Sequence, residues 1–145
     1  MNHYPDTGFL CSLYSNDANS QQAIAEIQRI ILPMSFTWLH HLEFRNAMRL
    51  RVFRKEITPK QRDASLNLMR ADLAGGVFQP ISPALDAVTI EAERLSAMHV
   101  EKLGTRSLDI LHVAMAIIVG TDVFITSDKR QASLAKAAGL KVRSF

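Results

Sequence analysis

Apolar positions along this chain recur at helical spacing, then break into short β-prone runs, most regularly in the second half. QQAIAEIQRIIL places Ala23, Ile24, Ile27, Ile30 and Ile31 on one helical face, and Pro33 ends that segment. An earlier helix is predicted over residues 8–14, and a longer one runs from Thr37 to about Glu56, with Leu39, Leu42 and Phe44 near its start. Thr58-Pro59-Lys60-Gln61 is a helix start: Thr58 caps, Pro59 fits the first helical position, and Gln61 completes a capping box. Leu66, Met69 and Leu73 give that helix an inner face, and Gly75-Gly76 stops it. Ser82-Pro83 opens another helix, with Leu85, Val88, Ala92 and Leu95 inward, and Gly104 ends that region. Thr105 or Ser107 then caps LDILHVAMAIIV, which is apolar on nearly all sides and is therefore expected to be buried. Ser127 or Asp128 caps the last helix, with Gln131 placed for a capping box if Asp128 is the cap, and Gly139 terminates it.

Between these helices lie candidate strands: His3–Pro5, Met34–Phe36, Val77–Ile81, Asp122–Thr126 and Lys141–Ser144. Pro5 weakens the first, because proline donates nothing to a ladder. Strands alternating with helices predict an α/β fold with parallel pairing and right-handed crossovers. No repeat, low-complexity tract or linker interrupts the pattern, so residues 1–145 read as one domain.

Composition narrows the class only a little. Hydrophobic residues make up 48% and charged residues 21%, a globular profile, and a chain of 145 residues can bury a core without disulfides. The single Cys11 sits in the apolar run FLCSLY and reads as a small buried filler in a reducing compartment. No run is long enough to span a membrane and no basic leader precedes an apolar stretch, so a cytoplasmic protein is expected. The net charge of +3 and pI of about 9.3 permit a polyanionic partner without requiring one.

The chemistry is carried by acids in apolar company. Asp6 ends the first strand, Glu43 lies beside Leu42 and Phe44, Asp109 opens the apolar helix, and Asp128 follows VFITS. Asp63, Asp72, Glu91, Glu93 and Glu101 lie on polar faces instead. A carboxylate at the edge of an apolar element is costly unless it is paired or binds a metal. In open parallel sheets ligands bind beyond the carboxyl ends of the strands, which is where Asp6 and Asp128 fall. Hard oxygen donors of this kind suit Mg²⁺ or Mn²⁺. Each acid also has an ordinary structural reading. Asp6 and Asp128 serve as N-caps, Asp109 as a first-turn acid favoured by the helix dipole, and Glu43 as the partner of a neighbouring arginine. Taken singly, both readings stand.

The segments DTGFLCSLY, LEFRNAMR, TRSLDILHVAMA and FITSDKRQASLAKAAGLKV together resemble the PIN domain, the nuclease fold of VapC-type toxins. The resemblance spans essentially the whole chain, and its last two segments are the most specific. It implies a three-layer α/β/α domain with a short, mostly parallel central sheet. It also implies a Mg²⁺- or Mn²⁺-dependent endoribonuclease whose catalytic and metal-binding acids are Asp6, Glu43, Asp109 and Asp128. Pro5 departs from the family, which usually has an aliphatic residue there. Thr7 and Thr126 are then candidates to hydrogen-bond the carboxylates, with ordinary capping or strand packing as the alternative, and Arg106, three positions before Asp109, to orient it or contact a phosphate, with a simple structural ion pair as the alternative. His112 and His40, one turn from Asp109 and Glu43, read first as hydrogen-bonded core histidines, and Asn46 stands one turn after Glu43. Arg45, Arg49, Arg51, Arg54 and Lys55 form the densest basic cluster, with Arg45 and Arg49 the candidate RNA contacts; a solvated helix face explains them equally well. Trp38 and Phe36 read as core rather than as base-stacking platforms.

The family resemblance further implies a toxin of a type II toxin–antitoxin pair, with an RNA substrate, a cognate antitoxin protein and a homodimeric state. A PIN nuclease of RNA processing and a non-catalytic PIN-like module are the alternatives. A phosphatase of the HAD type needs a second Asp two positions after the first, and Gly8 stands there.

Overall fold

The computed structural model describes residues 1–145. In chain order the elements are β1 (His3–Pro5), α1 (Thr7–Tyr14), α2 (Ser20–Ile27), β2 (Met34–Phe36), α3 (Trp38–Phe53), α4 (Pro59–Ala74), β3 (Phe78–Pro80) and α5 (Leu85–Leu95). A π-helical turn (Ser96–Val100) and α6 (Glu101–Leu103) continue α5, followed by α7 (Ser107–Ile118), β4 (Val123–Ile125), α8 (Lys129–Ala137) and β5 (Lys141–Arg143). Every strand pair is parallel: β1 with β4, β4 with β5, and β2 with β3. With β2 lying alongside β1, the spatial order is β3-β2-β1-β4-β5.

No backbone ladder joins β1 to β2, and Pro5 supplies a physical reason. The Asp6 amide donates to Ile125 on β4 (2.8 Å), so by strand alternation Pro5 faces β2. It has no N–H to give, and its carbonyl is taken by the Nε2–H of His40 at 2.7 Å. Pro5 thus splits the sheet without disturbing the strand tip that carries Asp6.

Alternation along the strands divides the core. Val123, Ile125, Met34, Phe36 and Phe78 pack with α1, α3 and α4 on one face, while Tyr4 and Phe124 pack with α5, α7 and α8 on the other. This is the three-layer α/β/α architecture expected, with helices covering both faces of a short parallel sheet.

The helix punctuation is largely as predicted. Thr58 accepts from Gln61 in a full capping box, and Gly104 (φ 68°) and Gly139 (φ 90°) take left-handed conformations at helix ends. Several predictions fail. Helix α2 stops at Ile27, so Ile31 lies outside it and is exposed, and Ile24 is also exposed. Leu42 and Leu85 face solvent too, the latter in the first turn of α5, which begins two residues after Pro83. Helix α7 is capped by neither Thr105 nor Ser107: Arg106 holds the cap position without a side-chain bond. Asp128 does cap α8, but no capping box forms, because the Asp128 amide is taken by the Thr126 hydroxyl at 3.0 Å. No helix is long and apolar enough to cross a membrane.

Candidate active site

The chain leaves β1 into α1 on one face of the sheet and leaves β4 into α8 on the other. Connections that diverge from neighbouring parallel strands open a crevice at their carboxyl ends. Asp6 stands at the tip of β1, and Thr126 and Asp128 follow β4. The first turn of α7 brings Asp109 near this edge and α3 brings Glu43. The charge of Asp109 bears on Asp6, and those of Asp128, Arg106 and Glu43 on Asp109. Three helix N-termini, those of α1, α7 and α8, therefore carry acids here, and their dipoles favour negative charge.

Asp6 is buried, and each of its oxygens accepts one hydrogen bond. Its Oδ1 takes the Phe9 amide (2.7 Å) and its Oδ2 the Thr126 hydroxyl (2.6 Å). Burial pushes its carboxyl up to about 6, against the pull of those two bonds. Gly8 leaves the approach open: a Cβ there would lie 3.4 Å from Oδ1.

Glu43 accepts at Oε1 from the Thr7 hydroxyl (2.8 Å) and from His112 Nε2, while its Oε2 has no protein donor. Burial works to raise the Glu43 carboxyl, but the His112 and Thr7 bonds outweigh it and hold it below its ordinary value. His112 is itself buried, and its Nδ1 meets the Tyr4 hydroxyl at 2.8 Å. Because Nε2 faces a carboxylate, it carries the proton, and Tyr4 donates to Nδ1. His112 is thus a core histidine, as read from the sequence, and also the side chain that holds Glu43. His40 plays a different part: its Nδ1 accepts from the Thr37 amide (2.8 Å), its Nε2–H holds Pro5, and burial keeps its pKa well below the ordinary value.

Asp109 and Asp128 are only partly buried and share an open cleft of about 290 Å³ with Arg106, Lys129 and Arg130, with no apolar side chain in its lining. Burial and the neighbouring Asp128 raise the Asp109 carboxyl. Arg106 is 82% exposed, with Nε 3.8 Å from Asp109, a distant ion pair that neutralises little. Asp128 Oδ1 accepts from the Gln131 amide at 2.9 Å.

Gln131 joins the site although the sequence pattern assigns it only a capping part. It is buried, its side chain lies against the Thr126 hydroxyl (3.0 Å), and its Nε2 donates to the Asp109 carbonyl (3.4 Å). It therefore ties β4, α7 and α8 together beneath the acids. Its spacing to Leu134 and Ala135, three and four positions on, places a polar residue on a buried face and is the available signal.

The basic cluster of α3 does not enter this cleft. Arg45 lines a crevice with His41, Leu66, Met69, Arg70 and Leu73, and Arg51 is paired with Asp17 at 3.0 Å. Arg49 and Asn46 are exposed on α3, Phe36 is core, and Trp38 is 39% exposed. The largest cavity, about 470 Å³, lies elsewhere, among Ser12, Tyr14, Ser20, Ile24, Ile57 and Leu68.

The donor set is all hard oxygen, and burial, with Asp128 beside Asp109, raises the carboxyls of Asp6 and Asp109. No three carboxylate or imidazole groups converge to hold an ion by themselves. Mg²⁺ usually takes one or two carboxylates and keeps several waters, so this arrangement fits it.

No protein-family model and no curated protein sequence matches the chain. Solved structures do. The chain superimposes on FitAcB from Neisseria gonorrhoeae at 16% identity, TM-score 0.68, covering 97% of this chain and 95% of that one. VapC20 of Mycobacterium tuberculosis, described as a sarcin-ricin loop cleaving toxin, gives 17% identity, TM-score 0.69 and 95% coverage of each chain. VapBC2 from Rickettsia felis, solved with a DNA fragment from its promoter, gives 14% identity, TM-score 0.68, covering 100% of this chain and 99% of that one. The chain therefore has the PIN-like fold of the VapC proteins.

Proposed function

We propose that this chain is a Mg²⁺- or Mn²⁺-dependent endoribonuclease and the toxin member of a type II toxin–antitoxin pair. The observation that supports the reading is that Asp6 stands at the tip of β1 and Asp128 just after β4, with Asp109 close enough to feel the charges of Asp128 and Glu43 and to act on Asp6. The shared fold adds weight, since one protein with it is described as cleaving the sarcin-ricin loop and another was solved with promoter DNA. On this reading the partners are an RNA substrate, an antitoxin protein and a second copy of the chain.

Asp6, Asp109 and Asp128 would hold the ion, directly or through water, with Glu43 beside them. A bound divalent ion supplies charge stabilisation for a phosphodiester under attack and a more acidic water. The protein's part is positional. Thr126 and the Phe9 amide fix both oxygens of Asp6, so its carboxylate does not rotate. Thr7 and His112 anchor Oε1 of Glu43 and keep the group ionised at neutral pH, leaving Oε2 to accept a proton from water or to order it. In-line attack by that water on phosphorus would leave a 5′-phosphate and a 3′-hydroxyl.

The test uses the purified chain and a 5′-labelled single-stranded RNA of mixed sequence. Cleavage should require Mg²⁺ or Mn²⁺, stop in EDTA, and stop in the Asp109→Asn variant. Cleavage that persists in the variant, or an intact RNA with the wild-type chain and either ion, rejects the reading.

A further inference from the structure

We propose that Arg106, Lys129 and Arg130 form a phosphate-binding wall along the Asp109–Asp128 cleft, holding the backbone of a single-stranded RNA next to the acids. The RNA identity rests on the nuclease reading; the site rests on the following geometry.

The cleft is lined by these three cations and two carboxylates alone. Lys129 and Arg130 occupy the first turn of α8, where the helix dipole disfavours positive charge. No compensation within the protein explains their placement, since neither lies within ion-pair distance of any carboxylate and both side chains are exposed. Arg106 reaches Asp109 only at 3.8 Å and is otherwise free. Three cations held about two acids without closing onto them leave their donors for an external polyanion. The acids would repel such a ligand; a cationic wall on the same cleft offsets that repulsion and fixes the strand. Of the α3 cluster, Arg51 is committed to Asp17, while Arg45 and Arg49 are exposed but lie outside this cleft.

The experiment is equilibrium binding of a fluorescein-labelled single-stranded RNA, by anisotropy in EDTA, across a KCl series. EDTA suppresses cleavage, so binding is read apart from activity. For a single strand, each phosphate that the protein ceases to neutralise should lower the slope of log K against log[salt] by about 0.7. The Lys129→Ala/Arg130→Ala variant should therefore lose about 1.4 in slope, and adding Arg106→Ala about 2. Arg29→Ala/Lys60→Ala, the same charge change at exposed positions outside the cleft, should leave the slope unchanged. Thermal unfolding shows that each variant folds. An unchanged slope in the triple variant overturns the proposal, as does a slope that falls with Arg45→Ala/Arg49→Ala but not with the triple variant. If the triple variant loses slope while the wild-type chain cleaves no RNA with Mg²⁺ or Mn²⁺, the wall stands and the nuclease reading falls. If the wild type cleaves and the slope is unchanged, the reverse holds.

Discussion

The two halves of the acidic crevice are built on different principles. Asp6 and Glu43 sit in a wired half, where hydroxyl, amide and imidazole donors fix named oxygens through Thr126, Phe9, Thr7 and His112. Asp109 and Asp128 sit in an open half, oriented mainly by the helix starts that carry them and faced by cations across a cleft. In the wired half burial raises Asp6 while the donors to Glu43 hold that carboxyl low; in the open half burial and Asp128 raise Asp109, and the cleft leaves room for a ligand. A metal-dependent site needs both, because a fixed anchor is useful only beside an accessible position.

The largest expected effect tests whether the halves act together. Asp6→Asn and Asp109→Asn should each lower RNA cleavage on the order of 10³-fold, several kcal/mol of lost charge stabilisation. Initial rates at saturating Mn²⁺ measure this. Loss in only one of the two would mean that the halves serve separate purposes.

The next effect separates the halves by stability. The folded-state pKa of Asp6, about 6, lies above its ordinary 3.8, so the folded chain binds this proton more tightly than the unfolded one. The group's contribution is therefore full below about pH 4 and is lost as pH rises through 6; above that, the ionised side chain costs about 3 kcal/mol. Asn keeps the acceptor for the Phe9 amide and removes the charge. In EDTA, Asp6→Asn should stabilise the chain by about 1–3 kcal/mol at pH 7.5 and hardly at all at pH 4. Chemical denaturation at both values checks this; equal destabilisation at both would show that Asp6 is not a buried, strained charge.

The wiring was far less legible in the sequence than the acids themselves. Asp6, Asp109 and Asp128 stand out because each sits where an apolar element begins or ends, a local signal. The parallel α/β alternation and most helix starts, such as Thr58 to Gln61, are local too. Tyr4 and His112 occupy apolar faces at core spacing, and their partners are distant in sequence: Tyr4 meets His112 across 108 positions, and His112 meets Glu43 across 69. Periodicity tells that such residues are buried and is silent on what they touch. The exposed Ile24, Ile31, Leu42 and Leu85 show the converse fault, a helical period extended past or around the face that is actually covered.

His112 provides the test of the wiring. His112→Leu removes one of two donors to Glu43 and strands the Tyr4 hydroxyl, so cleavage should fall about 10–10²-fold, the usual cost of losing a group that orients a metal-site residue. With fewer donors the Glu43 carboxyl titrates higher, and the acid limb of the pH–rate profile should move up. Gln places an amide N–H near the position of Nε2, and His112→Gln should recover part of the rate and return the limb toward its wild-type position. A variant that loses rate with no movement of the limb would reduce His112 to packing.

Asp128 gives the smallest effect on stability and the sharpest contrast with Asp6. Both acids cap a helix, accepting from Phe9 and Gln131 at 2.7 and 2.9 Å, yet only Asp6 is deeply buried. Asn caps a helix as well as Asp does. Asp128→Asn should therefore change the unfolding free energy by no more than about 0.5 kcal/mol in EDTA at pH 7.5. Cleavage should nonetheless be lost, because the amide removes a charge from the open half. If instead Asp128→Asn keeps full activity, its role is that of a cap alone, and the open half reduces to Asp109 and the cations that face it.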